Sequence, residues 1–421
     1  MRPLPTRLLP DSAELVDDVL HIGGCSVLDL AAEFGTPAFI YDEQHLRDRC
    51  REAVEAFGPG VAYATKAFLC QAMARLVYEE GMHLDVATGG EFAVARSAGV
   101  PADRLVLHGN NKSPAELRMA VEAGVHRIVV DSFDELDRLD ELHAVTGIVP
   151  RVLLRLTPGI KAETHDYIST GQDDSKFGFG VSSGAAERAI ERTLAAASVD
   201  LVGIHAHIGS QVFAVGSLGK AAGVIGEIAT SHDFEEMSVG GGLGVPYVED
   251  ERAPTISEWG RVVRDACAAA GVTARITAEP GRSITAAAAI TIYTVGTIKE
   301  LPDIRTYVSV DGGMSDNPRP VLYGSGYETF LPRSVGADRP KKVTVVGKHC
   351  ESGDILVREG LVPDDLAVGD ILATPVTGAY GHSMGSNYNM VLRPPVVFVR
   401  DGGARLVVRR QTYDDLTRFD L

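Results

Sequence analysis

Residues 83–109 read HLDVATGGEFAVARSAGVPADRLVLHG. Two short β-rich runs, HLDVAT (83–88) and RLVLHG (104–109), flank the helical stretch GEFAVARSAG, and a second helical stretch, SPAELRMAVEAG, follows. The strand runs are apolar on both faces. That is the pattern of a parallel strand covered by helices, not of a strand with one wet face. The rhythm extends in both directions. The other runs are VAYATK (61–66), RIVVD (127–131), RVLLRL (151–156), LVGIHAHIGS (201–210), MSVGGG (237–242) and RITAEPGR (275–282). Eight β/α repeats close a (β/α)8 barrel of TIM type. An open doubly wound sheet is the alternative reading of the same pattern.

After residue 284 the texture changes. ITIYTVGTIKE, TYVSVDGG, KKVTVVGKHC, DILATPVTG, VVFVRDGG and ARLVVRRQ read as strands with few helices between them. RDGGARLVVRRQ reads as a hairpin with its turn at DGG. The expected organisation is α/β: a barrel over 36–283, then a mostly β domain over 284–421, which the N-terminal segment 1–35 is expected to join.

The 421 residues allow a large core, and the 45% apolar content is that of a globular protein. Forty Lys and Arg face 57 Asp and Glu, a net charge of −17. That balance argues against nucleic acid or an anionic membrane as the main partner. No apolar run approaches the ~20 residues of a membrane span. The opening MRPLPTRLLPDSAELVDD has no apolar signal core, so a cytoplasmic protein is expected. Cys25, Cys50, Cys70, Cys267 and Cys350 are odd in number, far apart and never paired as CxxC. Neither a disulfide framework nor a zinc site is expected from them.

Functional groups of a barrel gather at the C-terminal ends of its strands. The first run ends in Lys66. A lysine in a half-buried mouth has a lowered pKa and a free amine for carbonyl chemistry, whereas a lysine that snorkels outward has neither. The sixth ends in HAHIGSQ, with His205 and His207 on one face of a strand. They suit metal ligation, but no third ligand stands beside them in sequence. His207 could equally stack on a flat cofactor, and His205 reads best as a hydrogen-bonded core histidine. The seventh ends in GGGLG (240–244), either a convergence of backbone N–H groups on an anion or a tight structural turn. The spacing does not match a dinucleotide fingerprint. The eighth ends in EPGRS, which supplies Glu279, Gly281 and Arg282. A lysine, a histidine, a two-loop phosphate cradle and a carboxylate are the parts that a pyridoxal 5'-phosphate site needs.

These residues and their neighbours resemble the fold-type III pyridoxal phosphate-dependent decarboxylases, which pair an alanine racemase-like barrel with a β domain. The resemblance runs from GTPAFIYD (35–42) to RRQTYDDL (409–416). It is carried by YATKAF, DVATGGE, STG with SKFGFG, HIGSQ, GGGLGVPY, EPGR, VDGGMSDNPRPVLYG, CESGD and GAYGHSMGSNYN. It implies that Lys66 bonds the cofactor aldehyde, that His207 stacks on the ring, and that Asp85 lies near it. Ser210, Gly241, Gly242, Pro280, Gly281 and Arg282 would frame the phosphate. Glu279 would pair with the pyridine nitrogen, and Tyr380 would reach both phosphate and substrate. Three departures touch no residue with a chemical role. Phe68 stands where the family usually has Asn, His83 precedes Asp85 in place of the common glycine pattern, and MVLRPP follows SNYN.

Within the family, diamine-forming substrates end in a cation, whereas meso-2,6-diaminopimelate ends in a second amino-acid head. Arg282, Arg319 and Tyr323 suit a carboxylate through charge-assisted bonds, which leaves Glu351 for the distal ammonium. The implied reaction is decarboxylation of meso-2,6-diaminopimelate to L-lysine and CO2, the last step of lysine biosynthesis. Cys350 would return a proton to the reacting carbon, a task within reach of a thiol, whose ordinary titration lies within a few units of neutral pH. The resemblance also implies a homodimer with shared active sites. No metal is expected, because the sequence offers the two histidines no further ligand. Ornithine-, arginine- or carboxynorspermidine-directed relatives are the nearest rival. A non-catalytic homologue would typically lack Lys66 or Cys350.

Overall fold

The structure, a computed structural model, describes residues 3–159 and 174–421. The STG motif at 169–171 lies outside the described residues. Eight strands of one parallel sheet follow chain order: β1 (Ala62–Ala64), β2 (His83–Val86), β3 (Leu105–Leu107), β4 (Arg127–Val130), β5 (Arg151–Thr157), β6 (Asp200–Ala206), β7 (Glu236–Ser238) and β8 (Arg275–Thr277), with the two-residue Phe179–Gly180 also paired to β5. The seam between first and last is bridged by two backbone bonds. Ala62 N–H donates to the Ala278 carbonyl at 3.0 Å, and Ala64 N–H to the Pro280 carbonyl at 3.1 Å. The expected barrel forms, and the open sheet does not. Buried Ala62, Val106, Val129, Leu153 and Val202, from five different strands, make one core cluster. Each buried Val or Leu contributes roughly 1.5–3 kcal/mol relative to exposure.

Helices between the strands start where short polar residues satisfy their first N–H groups. Thr88 Oγ1 accepts from Glu91 N–H to open Gly89–Ser97. Ser113 and Glu116 form a reciprocal capping box at Pro114–Ala123, which ends on Gly124 in the left-handed region. Such caps are worth about 1 kcal/mol each.

The starts of β2, β4, β7 and β8 carry His83, Arg127, Glu236 and Arg275. Glu236 is buried and ion-paired with both arginines. The His83 ring lies 4.2 Å from that of His126, and Arg104 Nη1 is 3.4 Å from His83 Nε2. Burial, then Arg104, pushes His83 down to about 4. Burial and Arg127 push His126 down to about 3. Both rings are neutral at pH 7. A histidine whose folded value lies below its unfolded ~6.5 adds stability above that pH and loses it as pH falls. We therefore expect barrel stability to decline from pH 6.5 to pH 4. His83→Asn should flatten that decline by on the order of 2 kcal/mol. Denaturant titrations across this range check it, and an unchanged slope would speak against the linkage.

The described residues fall into two compact units. The barrel unit comprises Arg49–Gly244 and Ala253–Ser283. The other gathers the chain up to Asp48, Val245–Arg252 and Ile284–Leu421. Residues 36–48 and 245–252, expected with the barrel, fall in this second unit. The physical reason is clear for Ala38–Asp42, a fully buried strand. It pairs antiparallel with Ala289–Leu301 and parallel with Val396–Arg400. The sheet runs Ile355–Val362, Lys341–Val346, Arg305–Val310, Ala289–Leu301, Ala38–Asp42, Val396–Arg400, Gly403–Val408, with Ile371–Pro375 also on Ala289–Leu301. Val396–Arg400 and Gly403–Val408 are the hairpin read from RDGGARLVVRRQ.

Candidate active site

β1 runs directly into a single 3-10 turn, Thr65–Ala67. Thr65 and Ala67 are fully buried, and Thr65 Oγ1 donates to the Asp85 carbonyl at 2.7 Å. Tyr63 OH donates to the Phe68 carbonyl at 2.7 Å, and Phe68 is itself fully buried. Phe68, a departure from the family pattern, therefore acts as core. Lys66 is exposed between these buried neighbours, not half-buried. The backbone around it is fixed while its amine stays accessible. Its positive charge bears on Asp85 and His207, so the three face one region of the barrel.

Glu279 follows β8 and is buried. His205 Nε2 lies 2.9 Å from Oε2, Ser238 Oγ donates to Oε1 at 2.9 Å, and His108 Nε2 lies 3.4 Å from Oε1. Burial pushes the Glu279 carboxyl up, but His205 and His108 outweigh it and hold it well below the usual range. It is an anion at every physiological pH. Asp85, 3.7 Å from His108 Nε2, behaves oppositely. Burial raises its carboxyl to about 6, with Glu279 adding to the rise and His108 opposing it. His207 is pushed well below its ordinary value by burial, then by Lys66 and Arg155, so its ring is neutral. Its Nδ1 accepts from Gly241 N–H at 3.1 Å.

His205, expected as a hydrogen-bonded core residue, is buried and bonded, but to the site carboxylate. His108 and Ser238 were not singled out from sequence, although both stand in the quoted strand runs. Arg155 was also missed. It is buried on β5, 3.6 Å from Asp131 Oδ2, with its guanidinium 4.2 Å over the Phe177 ring. One ligand atom each from His108, His205 and Glu279 lies within 4.8 Å of the others. This trio differs from the His205–His207 pair that the sequence offered to a metal. Its two histidines are those that keep Glu279 anionic.

The glycine run and the EPGR segment lie side by side in the barrel unit. Glu279 N–H donates to the Gly240 carbonyl at 2.7 Å. Gly242 holds φ at +116°, and a Cβ there would lie 2.4 Å from the Gly209 carbonyl oxygen, so only glycine fits. A Cβ on Gly281 would lie 2.9 Å from that of Ala64, two residues before Lys66. Arg282 Nη2 donates to Ser210 Oγ at 2.8 Å. A guanidinium, a hydroxyl and backbone without side chains make a donor set suited to phosphate. A buried permanent anion is what a protonated pyridine nitrogen requires, and Lys66 offers an accessible amine. The residues present fit pyridoxal phosphate.

The second unit carries the other predicted residues. Arg319 is buried at the start of Arg319–Tyr323, and Tyr323 is half-buried. Tyr380 is half-buried at φ +62°, a conformation costly for a bulky residue, within GAYG. Cys350 and Glu351 are exposed. Their loop is anchored by buried Asp354, which accepts from Met314 N–H at 2.7 Å and His349 N–H at 2.9 Å. His349 Nε2 lies 2.9 Å from Ser315 Oγ, and Cys350 N–H donates to Asn389 Oδ1 at 3.0 Å. Glu351 Oε1 accepts from Gly353 N–H at 3.1 Å, so this carboxylate caps its own turn here.

Residues 43–286 match the family model described as pyridoxal-dependent decarboxylase, pyridoxal binding domain. The chain is 49% identical to a diaminopimelate decarboxylase of Mycobacterium tuberculosis, over 96% of this chain and 95% of that protein. It is 46% identical to one from Bacillus subtilis, with the same coverages. A diaminopimelate decarboxylase from M. jannaschii, solved in co-complex with L-lysine, superposes with a TM-score of 0.90 at 32% identity over 98% of both chains. A lysine/ornithine decarboxylase of Vibrio vulnificus shares the fold, with a TM-score of 0.75 at 22% identity over 89% of this chain and 97% of that one.

Proposed function

The chain belongs to the pyridoxal-dependent decarboxylase family, and on that premise we propose its reaction and the part each residue takes. It is a carboxy-lyase that converts meso-2,6-diaminopimelate to L-lysine and CO2 with pyridoxal phosphate, closing lysine biosynthesis. The observation that carries this reading is the buried Glu279 anion, sustained by two histidines and a serine in the same barrel mouth as Lys66. A cytoplasmic setting accords with a biosynthetic reaction on a soluble amino acid.

Bound pyridoxal phosphate supplies a sink for the electron pair left behind when CO2 departs. Lys66, exposed at the end of β1, would be the amine that holds the cofactor through its aldehyde. Glu279 holds a proton on the pyridine nitrogen. His207, neutral and bonded to Gly241, presents a flat face for the ring. Arg282, Ser210, Gly241, Gly242, Pro280 and Gly281 hold the phosphate, and Tyr380 is assigned to it as well. Arg319 and Tyr323 take the carboxylate that stays in the product. Glu351 takes the distal ammonium, for which it has an oxygen other than the Oε1 that accepts from Gly353 N–H. Cys350 Sγ gives a proton to the carbon that has lost CO2.

The deciding assay measures L-lysine formed from meso-diaminopimelate, with and without added pyridoxal phosphate, against diamine formed from ornithine. Faster diamine formation would move the chain to the rival branch.

The reading includes a homodimer in which the Cys350 loop serves the partner's barrel. Cys350→Ala should lower kcat by about 100-fold while the cofactor remains bound, as expected when a general acid is removed. Mixing Lys66→Ala with Cys350→Ala protein should then restore part of the activity. No recovery despite demonstrated subunit exchange would rule out shared sites.

A further inference from the structure

Arg319 is only 4% exposed, yet among the described residues no carboxylate pairs with it. Its guanidinium lies 4.0 Å from the Tyr247 ring centroid and 5.5 Å from that of Tyr327. Nη1 donates to the Tyr327 hydroxyl at 2.5 Å. The two rings meet edge to face, 5.3 Å apart at 76°. The Arg319 Nε has no hydrogen-bond partner among the described residues. The cation is therefore oriented on one nitrogen and one face, with donor capacity left over.

The segments bearing the two rings are themselves clasped. Buried Arg339 donates through Nη1 to Glu328 Oε2 at 3.1 Å and to the Thr329 carbonyl at 2.9 Å. Its Nη2 lies 3.9 Å from Glu249 Oε2. Glu249 N–H donates to Glu328 Oε1 at 3.1 Å, and Tyr247 N–H to Glu251 Oε2 at 2.7 Å. Strands of charge and backbone thus fix Tyr247 against Tyr327, and the two phenols fix Arg319.

A buried guanidinium without a counter-ion is costly, and aromatic faces offset only part of that cost. A carboxylate that met its fork would offset the rest. The phenol bond matters because it limits rotation of the guanidinium, so less orientational freedom is lost when the anion arrives. We infer that Tyr247 and Tyr327 are positioning residues that aim Arg319 at the carboxylate retained in the product. They would thereby set the preference for a substrate bearing a second carboxylate over one ending in a bare amine. This rests on the reading that Arg319 takes that carboxylate.

The test titrates holoenzyme calorimetrically with L-lysine and with 1,5-diaminopentane, the same molecule without its carboxylate. Tyr327→Phe should weaken L-lysine binding about 5- to 10-fold, the scale of one ordinary hydrogen bond, since the lost bond orients Arg319 and does not itself touch the ligand. Diaminopentane binding should stay within about 2-fold, because that ligand makes no use of Arg319. The KM for meso-diaminopimelate should rise by the same factor as the L-lysine Kd, with kcat little changed. Tyr247→Leu should act in the same direction, and thermal melts confirm that both variants fold. Arg319→Leu separates the two readings. If it leaves L-lysine affinity unchanged, Arg319 is not the carboxylate binder and the inference falls with it. If it weakens L-lysine but the tyrosine variants do not, or weaken both ligands alike, Arg319 keeps its role and the positioning inference is overturned.

Discussion

Lys66→Ala is expected to lower kcat on meso-diaminopimelate by about 10⁴-fold, the scale seen when a covalent catalytic group is removed. The variant should still fold. Lys66 is exposed, and the bonds that shape its turn come from Thr65 and Tyr63, not from the lysine. Its loss should therefore leave the melting temperature near that of the parent. A second readout is independent of turnover. Borohydride should fix cofactor to the parent protein and fail to fix it to the variant. A variant that is still labelled at another lysine would remove Lys66 from this role.

Glu279→Gln is expected to lower kcat by about 10³-fold, the upper range for removing one preorganised electrostatic group. The substitution keeps the shape and removes the charge. Three donors or cations now converge on that charge, from His205, His108 and Ser238. With glutamine, His108 loses one of its two acidic neighbours and keeps only Asp85. Asp85 in turn loses an anion that helps to raise it, so its carboxyl should fall below about 6. NMR titration of the apo-variant checks that direction. Loss of activity with an unmoved Asp85 would mean that the network is not coupled in this way.

The barrel was readable because parallel strands buried on both faces are short, apolar and repeated. All eight runs became strands, although β7 and β8 stop after three residues each, before the glycines and EPGR leave the sheet. Ala38–Asp42 was harder. AFIYD is as apolar as any barrel strand, and nothing local says that its partners lie some 250 and 350 residues away. The motif residues were legible as types at strand ends. What sequence could not convey was how they pair: that His205 serves Glu279, that His207 is bonded to Gly241, or that Glu351 caps its own loop. His108 and Ser238 were hidden for a related reason. A single polar residue at the end of a strand looks like a cap until a buried anion is found beside it.

The two backbone bonds from Ala62 and Ala64 to Ala278 and Pro280 have a temporal meaning. They join the strand leading to Lys66 with the segment holding Glu279, across more than two hundred residues of chain. A growing polypeptide displays Lys66 early, but the anion that completes its chemistry is among the last barrel residues to emerge. Long-range closure of this kind is slow relative to local pairing. Competence to hold the cofactor should therefore appear late in biogenesis and in a single step. Until then the Lys66 amine stands without the Glu279 anion that would put it to use.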